Sequence, residues 1–181
     1  MLRIAITQTK NAYADMPAHV DELPRLADSL EAIRQANLDH HAMLIRHAAE
    51  LGAKMIGLGE LFPAPYFALT QLAFWRGLAE DARTGPSVTF LAELARAVDV
   101  AIVAPIYEID GDKRFNTAVV IDHRGEVLGS YRKTHIPDGT NERATFSERF
   151  YYGPSDGGAF VDPEANISSN PHFPVFRCRE A

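Results

Sequence analysis

Gly52-Ala53-Lys54-Met55-Ile56-Gly57-Leu58-Gly59-Glu60-Leu61-Phe62-Pro63 is the stretch from which the fold can be read. Gly52 stands where a helix should end, because a glycine at that position takes the left-handed backbone that other residues resist. Met55 to Leu58 is a short apolar run of strand type, and Pro63 and Pro65 force a loop from Phe62 to Tyr66. Upstream, Leu23, Leu26, Leu30 and Ile33 recur at three- and four-residue steps, and Leu38, Ala42, Ile45 and Ala49 repeat the pattern. That spacing predicts one long helix or two consecutive ones. Residues 3 to 8 read as a strand buried early in a sheet. Strand, crossover helix and strand make a βαβ-like opening.

Downstream, Gly85-Pro86-Ser87 opens a helix whose apolar face is Val88, Leu91, Leu94, Ala95 and Val98. Val100 to Tyr107 reads as a third strand. Phe115 to Asp122 and Glu126 to Arg132 read as a hairpin around His123-Arg124-Gly125. From Pro137 to Pro174 the chain is rich in Gly, Pro, Asn, Asp and Ser, and is too long for a simple connector, so a functional loop region is expected there. Phe173 to Phe176 reads as the start of one more strand. The pattern predicts an α/β fold with a mixed sheet, in a single domain over residues 1–181.

Composition narrows the function. The chain has 181 residues, 46% hydrophobic and 23% charged, which is globular and excludes a disordered or collagenous protein. Its net charge is -6 with the basic residues scattered, so nucleic acid is not the expected partner. No apolar run is long enough for a membrane helix, and Met1 to Gln8 lacks the features of a secretory signal, so no membrane partner and a cytoplasmic location are expected. Cys178 is the single cysteine, which fits a reducing compartment.

Gly57-Leu58-Gly59 opens like a dinucleotide fingerprint, but Phe62 and a proline loop follow where the phosphate-binding helix would begin. His40, His41 and His47 lie on one predicted helix, but a seven-residue step without a third ligand nearby is weak as a metal site, and they read as solvated residues. Glu60 follows a strand among apolar neighbours, where desolvation would make it a better general base, although a strand-end glutamate can equally face solvent. Lys133 closes the hairpin strand just before Thr134-His135-Ile136-Pro137 turns the chain. It could stabilise a developing oxyanion or be a surface lysine of an edge strand. Glu148, flanked by aromatics, could be a structural residue or a second, partly buried carboxylate near that lysine.

Three blocks carry a resemblance. Residues 52–63, then Phe115-Asn116-Thr117-Ala118 with Gly129-Ser130-Tyr131-Arg132-Lys133-Thr134-His135-Ile136-Pro137, then Glu148-Arg149-Phe150-Tyr151-Tyr152-Gly153-Pro154, resemble the nitrilase superfamily of carbon-nitrogen hydrolases. The H-I-P-D-G and E-R-F-Y-Y-G-P stretches resemble its N-carbamoyl amidase and β-ureidopropionase-like members more than the true nitrilases. The resemblance implies an α-β-β-α sandwich and a Glu-Lys-Cys catalytic set acting without cofactor or metal on a small amide or carbamoyl substrate. It also implies homo-oligomeric assembly of the full-length protein. Glu60 matches the general base, Lys133 the oxyanion-stabilising lysine, and Glu148 the second glutamate that positions the lysine or the substrate amide.

The nucleophile of such enzymes sits in a G-x-x-I-C-[W/Y]-[D/E] context, which Cys178 lacks, lying instead in what should be the turn before that strand. Cys178 therefore reads as incidental, and the chain as the N-terminal part of a longer hydrolase, truncated before the nucleophile strand and inactive alone. A non-catalytic binding or assembly protein that keeps part of the fold is the alternative, and an NAD-binding oxidoreductase rests only on the glycine pair.

Overall fold

The computed structural model describes residues 1–178. It is an α/β fold around one five-stranded mixed sheet, with strands in the order of the chain. Strand β1 (Ile4–Ile6), helix α1 (Leu30–Glu50) and strand β2 (Met55–Gly57) form the expected βαβ unit, with β1 and β2 parallel. Helix α2 (Pro86–Val98) crosses to β3 (Ala101–Asp110), again parallel. The chain then reverses twice, through β4 (Lys113–Ile121) and β5 (Val127–Arg132), both antiparallel to their neighbours. A separate small hairpin, β6 (Asp138–Thr140) with β7 (Thr145–Ser147), follows.

Local chemistry explains the boundaries. The helical pattern from residue 23 onward divides, as one of its two readings allowed, into a 3-10 turn (Val20–Leu26) interrupted by Pro24 and the 21-residue α1. Gly52 ends α1 with a φ of 83°, the left-handed value that a C′ glycine supplies. Pro86 starts α2, and the Ser87 N–H finds its acceptor in the Glu80 carboxylate at 2.8 Å. Burial pushes the Glu80 carboxyl above its usual range, against the opposing pull of Ser87 and of Arg34. The Arg34 guanidinium approaches the same carboxylate at 3.2 Å with both side chains buried, so one glutamate ties α1 to the start of α2.

Both helices lie on one face of the sheet. Ile56, Ile102, Ala104, Ile106, Val119 and Ile121 from the strands pack with Leu38 and Ile45 of α1 and Val88, Leu91, Leu94 and Ala95 of α2. A second cluster of Leu61, Phe67, Trp75, Tyr107, Ile136, Tyr151 and Tyr152 closes over the far end of β3. Each large side chain buried this way contributes about 1.5–3 kcal/mol. On the other face, Val103, Pro105, Ala118 and Val120 are only partly covered.

Several expectations change. The first strand is three residues rather than six and is not buried, since Ile4 is 56% and Ile6 82% exposed. It is the edge strand, and its outer side has no neighbour among the described residues. His41 is not solvated: it is buried, stacks edge-on against Phe62 and bonds the Asn37 carbonyl through Nδ1. Burial lowers its pKa, so it is neutral in the fold. The third strand runs on to Asp110 and turns tightly at Gly111, giving a β3–β4 hairpin that hydrophobic runs alone did not delimit. The stretch from 137 to 174 includes the β6–β7 hairpin, so part of that expected loop region is regular. No strand forms at 173–176, where Phe176 makes only an isolated bridge with Asn166.

Candidate active site

Glu60 stands three residues beyond β2, at the carboxyl ends of the parallel strands, where open α/β sheets place their sites. The segment is pinned to β3, with Leu58 N–H donating to the Val103 carbonyl at 3.0 Å and Phe62 N–H to that of Pro105 at 3.1 Å. Between them Leu61 takes a φ of 52°, a conformation that a branched side chain disfavours. Its side chain is wholly buried in the second cluster, and that burial offsets the strain. The sharp turn leaves Leu61 in the core and aims Glu60 outward.

Lys133 follows β5. Its N–H bonds the Asn116 carbonyl at 2.8 Å, which extends the ladder with β4. Alternation along β5 sends Arg132 to the helix face of the sheet and Lys133 to the opposite one. Arg132 is buried there, bonding Glu108, Asp110 and Asp156 and lying 3.8 Å from the centre of the Phe115 ring. Burial opposes its charge, but Glu108 and Asp110 outweigh it and hold the guanidinium pKa above its ordinary value. This clasp fixes the end of β5, and so the root of Lys133.

The Lys133 ammonium donates to Glu60 Oε1 at 2.9 Å and to Glu148 Oε2 at 2.8 Å. The three sequence candidates thus meet at one nitrogen. Partial burial lowers the lysine pKa, but the bonds to Glu148 and Glu60 more than offset it, so Lys133 is held above its ordinary range and stays charged. Glu148, at the start of a 3-10 turn (Glu148–Phe150), has a side chain only 4% exposed, and its Oε1 accepts the Tyr66 hydroxyl at 2.7 Å. Glu60 differs from expectation. Its side chain is 48% exposed rather than enclosed by apolar neighbours, because the turn at Leu61 carries the apolar residues inward and the carboxylate outward.

Three further residues complete the network. Asn116 Nδ2 donates to Glu60 Oε1 at 2.7 Å and lies 3.4 Å from the Tyr152 hydroxyl. Glu60 Oε1 therefore takes two donors, whereas Oε2 takes none among the described residues. Burial, reinforced by Glu148, pushes the Tyr66 and Tyr152 hydroxyls well above the usual phenol range, so both remain protonated donors. Asn116 was visible only as part of the F-N-T-A block and Tyr152 only as part of the last one. Tyr66 had no signal beyond its place in the proline loop.

Two concavities flank the network. Lys133 and Tyr152 line a cavity of about 950 Å³, and Glu60 and Tyr66 a smaller one of about 340 Å³. Cys178 belongs to neither. It stands near Asp122, whose charge adds to burial in pushing the thiol up, away from the reactive thiolate. Asp122 caps the turn that begins β5, while Lys133 follows the end of that strand. The six residues of β5 put these two points about 20 Å apart.

The carbon-nitrogen hydrolase family model matches residues 26–179. The chain belongs to the carbon-nitrogen hydrolase family. It is 33% identical over 137 residues to an N-carbamoylputrescine amidase of Oryza sativa subsp. japonica, covering 75% of this chain and 44% of that protein. A beta-ureidopropionase of Arabidopsis thaliana is 29% identical over 184 residues, covering 97% of this chain and 41% of its own length. Among solved structures, a carbon-nitrogen hydrolase from Helicobacter pylori G27 superposes with a TM-score of 0.60 at 30% identity, over 68% of this chain and 40% of that one. The chain thus spans about two fifths of the length of these carbon-nitrogen hydrolases. Its α/β architecture is that of the family, and what it contributes is one sheet with the helices on one side of it.

Proposed function

We propose that this carbon-nitrogen hydrolase chain supplies the base and the oxyanion-stabilising cation of an enzyme that cleaves the C–N bond of a small amide or N-carbamoyl substrate. The observation that carries the reading is the Lys133 ammonium held between Glu60 and Glu148 at 2.9 and 2.8 Å. In this reading residues 1–181 belong to a single domain, and the nucleophilic cysteine comes from chain beyond them. The position of Cys178 near Asp122 supports that assignment.

Glu60 Oε2, which takes no hydrogen bond among the described residues, accepts the thiol proton. The thiolate attacks the carbonyl carbon, and the electron pair of the C=O bond moves to oxygen, giving a tetrahedral oxyanion beside the Lys133 ammonium. Collapse of that oxyanion breaks the C–N bond, with Glu60 returning its proton to the departing ammonia or amine. Water, deprotonated by Glu60, then attacks the thioester, and the thiolate leaves and is reprotonated. Glu148 acts through Lys133, anchoring the ammonium from its buried side while Tyr66 holds the second carboxylate oxygen. Asn116 orients Glu60 by fixing Oε1. Every step is proton transfer or carbonyl addition, for which these residues and a thiol suffice without a cofactor. A cytoplasmic homo-oligomer is the setting proposed for the whole protein.

Glu60→Gln and Lys133→Ala, each made in the complete gene product, should lower kcat by about a hundredfold or more while leaving the circular dichroism spectrum unchanged. Near-wild-type turnover by either variant would overturn the assignment.

A further inference from the structure

Glu60 lines the smaller cavity and Lys133 the larger, and neither lines both, so their ion pair stands between the two. The walls of the smaller one are built from the loops that follow β1 and β2. Thr7 N–H donates to the Gly57 carbonyl at 2.9 Å, which carries the β1–β2 ladder one step beyond the strands. Asn37, buried on α1, accepts the Ala12 N–H through Oδ1 at 3.0 Å. Its Nδ2 donates to the Ile33 carbonyl at 2.9 Å and lies 3.4 Å from that of Pro63, so one asparagine ties both loops to the helix. Inside this frame two polar groups are buried without a partner among the described residues, the Thr7 hydroxyl and Asn11 Nδ2. Asn11 Oδ1 accepts the Tyr13 N–H at 3.0 Å, which leaves the amide nitrogen as the free half of that side chain. Both residues line the cavity, together with His41, whose Nδ1 faces the Asn37 carbonyl at 2.8 Å and so carries the ring proton, making Nε2 an acceptor. A buried hydroxyl and a buried amide cost free energy unless something bonds them. An ordered water does so where it has about 10–15 Å³ and roughly two to four polar partners, and this cavity of about 340 Å³ supplies both.

The chemistry calls for water on this side of the ion pair. Lys133 holds the oxyanion, while Glu60 gives a proton to the departing nitrogen and later takes one from water. One base serves both events, so the incoming oxygen stands where the nitrogen left, on the side that Glu60 faces. We infer that the smaller cavity is the water site of the second half-reaction, where Thr7 Oγ1 and Asn11 Nδ2 hold the water that Glu60 deprotonates. Asn11 donates to one lone pair of the water oxygen, and Thr7 accepts the hydrogen that Glu60 does not take. The second lone pair is left for the thioester carbon. The new C–O bond forms as the water proton passes to Glu60 Oε2 and the C=O electron pair moves to the oxygen beside Lys133. Collapse of that oxyanion breaks the C–S bond, and the thiolate recovers the proton from Glu60. Thr7 and Asn11 are thus positioning residues for deacylation and take no part in the attack of the thiol. The inference rests on the hydrolase reading for the thioester, and adds to it the side from which water comes and the residues that hold it.

The test uses p-nitrophenyl propionate with the complete gene product, because so good a leaving group makes acylation fast and separates it from deacylation. The wild type should release a burst of p-nitrophenolate followed by a slower steady phase, the second phase reporting deacylation. Thr7→Val, and separately Asn11→Ala in case the first variant misfolds, should keep the burst within about twofold and slow the steady phase about tenfold. Intact mass taken during the steady phase should show the propionyl adduct on both variants. Thr7→Ser, which keeps the hydroxyl, should deacylate within about twofold of the wild type. A steady phase unchanged in both variants, or a burst and steady phase that fall together, would overturn the water site and leave the hydrolase reading standing. A wild type that gives no burst and hydrolyses neither propionamide nor propylurea would overturn the hydrolase reading itself, and the water site with it.

Discussion

At Glu148 one buried carboxylate divides its two oxygens between a cation and a phenol, with Lys133 at 2.8 Å and Tyr66 at 2.7 Å. The division matters because a carboxylate only 4% exposed cannot borrow water for the oxygen left over. Tyr66→Phe should leave Oε1 without its donor and let Glu148 shift against Lys133. The loss of a hydrogen bond to a charged group is about 1.5–3 kcal/mol, and if most of it reaches the transition state kcat in the complete gene product falls about tenfold or more. Turnover unchanged within twofold would mean that Lys133 is positioned by its backbone alone.

Among the elements, the joint between α1 and α2 depends most on a single side chain. Glu80 accepts the Ser87 N–H at the head of α2 and receives Arg34 from α1, with both charged side chains out of water. Glu80→Ala removes the buried partner and leaves the guanidinium only the exposed Glu31, at 3.2 Å, at a cost of about 3 kcal/mol, enough to lower the thermal midpoint by roughly 5–12 °C. A differential scanning calorimetry midpoint within 2 °C of wild type would contradict it. The elements most legible in the sequence were those with a local cause. Gly52, Gly85-Pro86 and the apolar spacing of the helices state their own boundaries, and Glu60, Lys133 and Glu148 each sit in a contiguous block whose strand or turn context can be read in place. What escaped depends on contacts across the chain. Tyr66 meets Glu148 from 82 residues away, and His41 is buried because Phe62 folds over it, neither of which leaves a period in the sequence. Phe173 to Phe176 has strand composition, yet Phe176 pairs only with Asn166 instead of joining a sheet.

For the molecule as a whole, the two faces of the sheet are unequal. The helix face is closed, while the other shows Val103, Pro105, Ala118 and Val120 partly uncovered and ends in the exposed Ile4 and Ile6 of an open edge strand. The 181-residue chain produced alone should therefore self-associate through that face and edge, giving species larger than 20.0 kDa in light scattering after gel filtration. A monodisperse monomer with a sharp cooperative melt would show that the face tolerates water. The charge cluster has a consequence in time. Glu60 and Lys133 are 73 residues apart, and at the ribosome that distance is about 4–15 s of synthesis. For that interval the nascent glutamate lacks its lysine, and the turn at Leu61 must hold on packing and on its backbone bonds to β3. The reacting centre is thus assembled late, by the arrival of its cation.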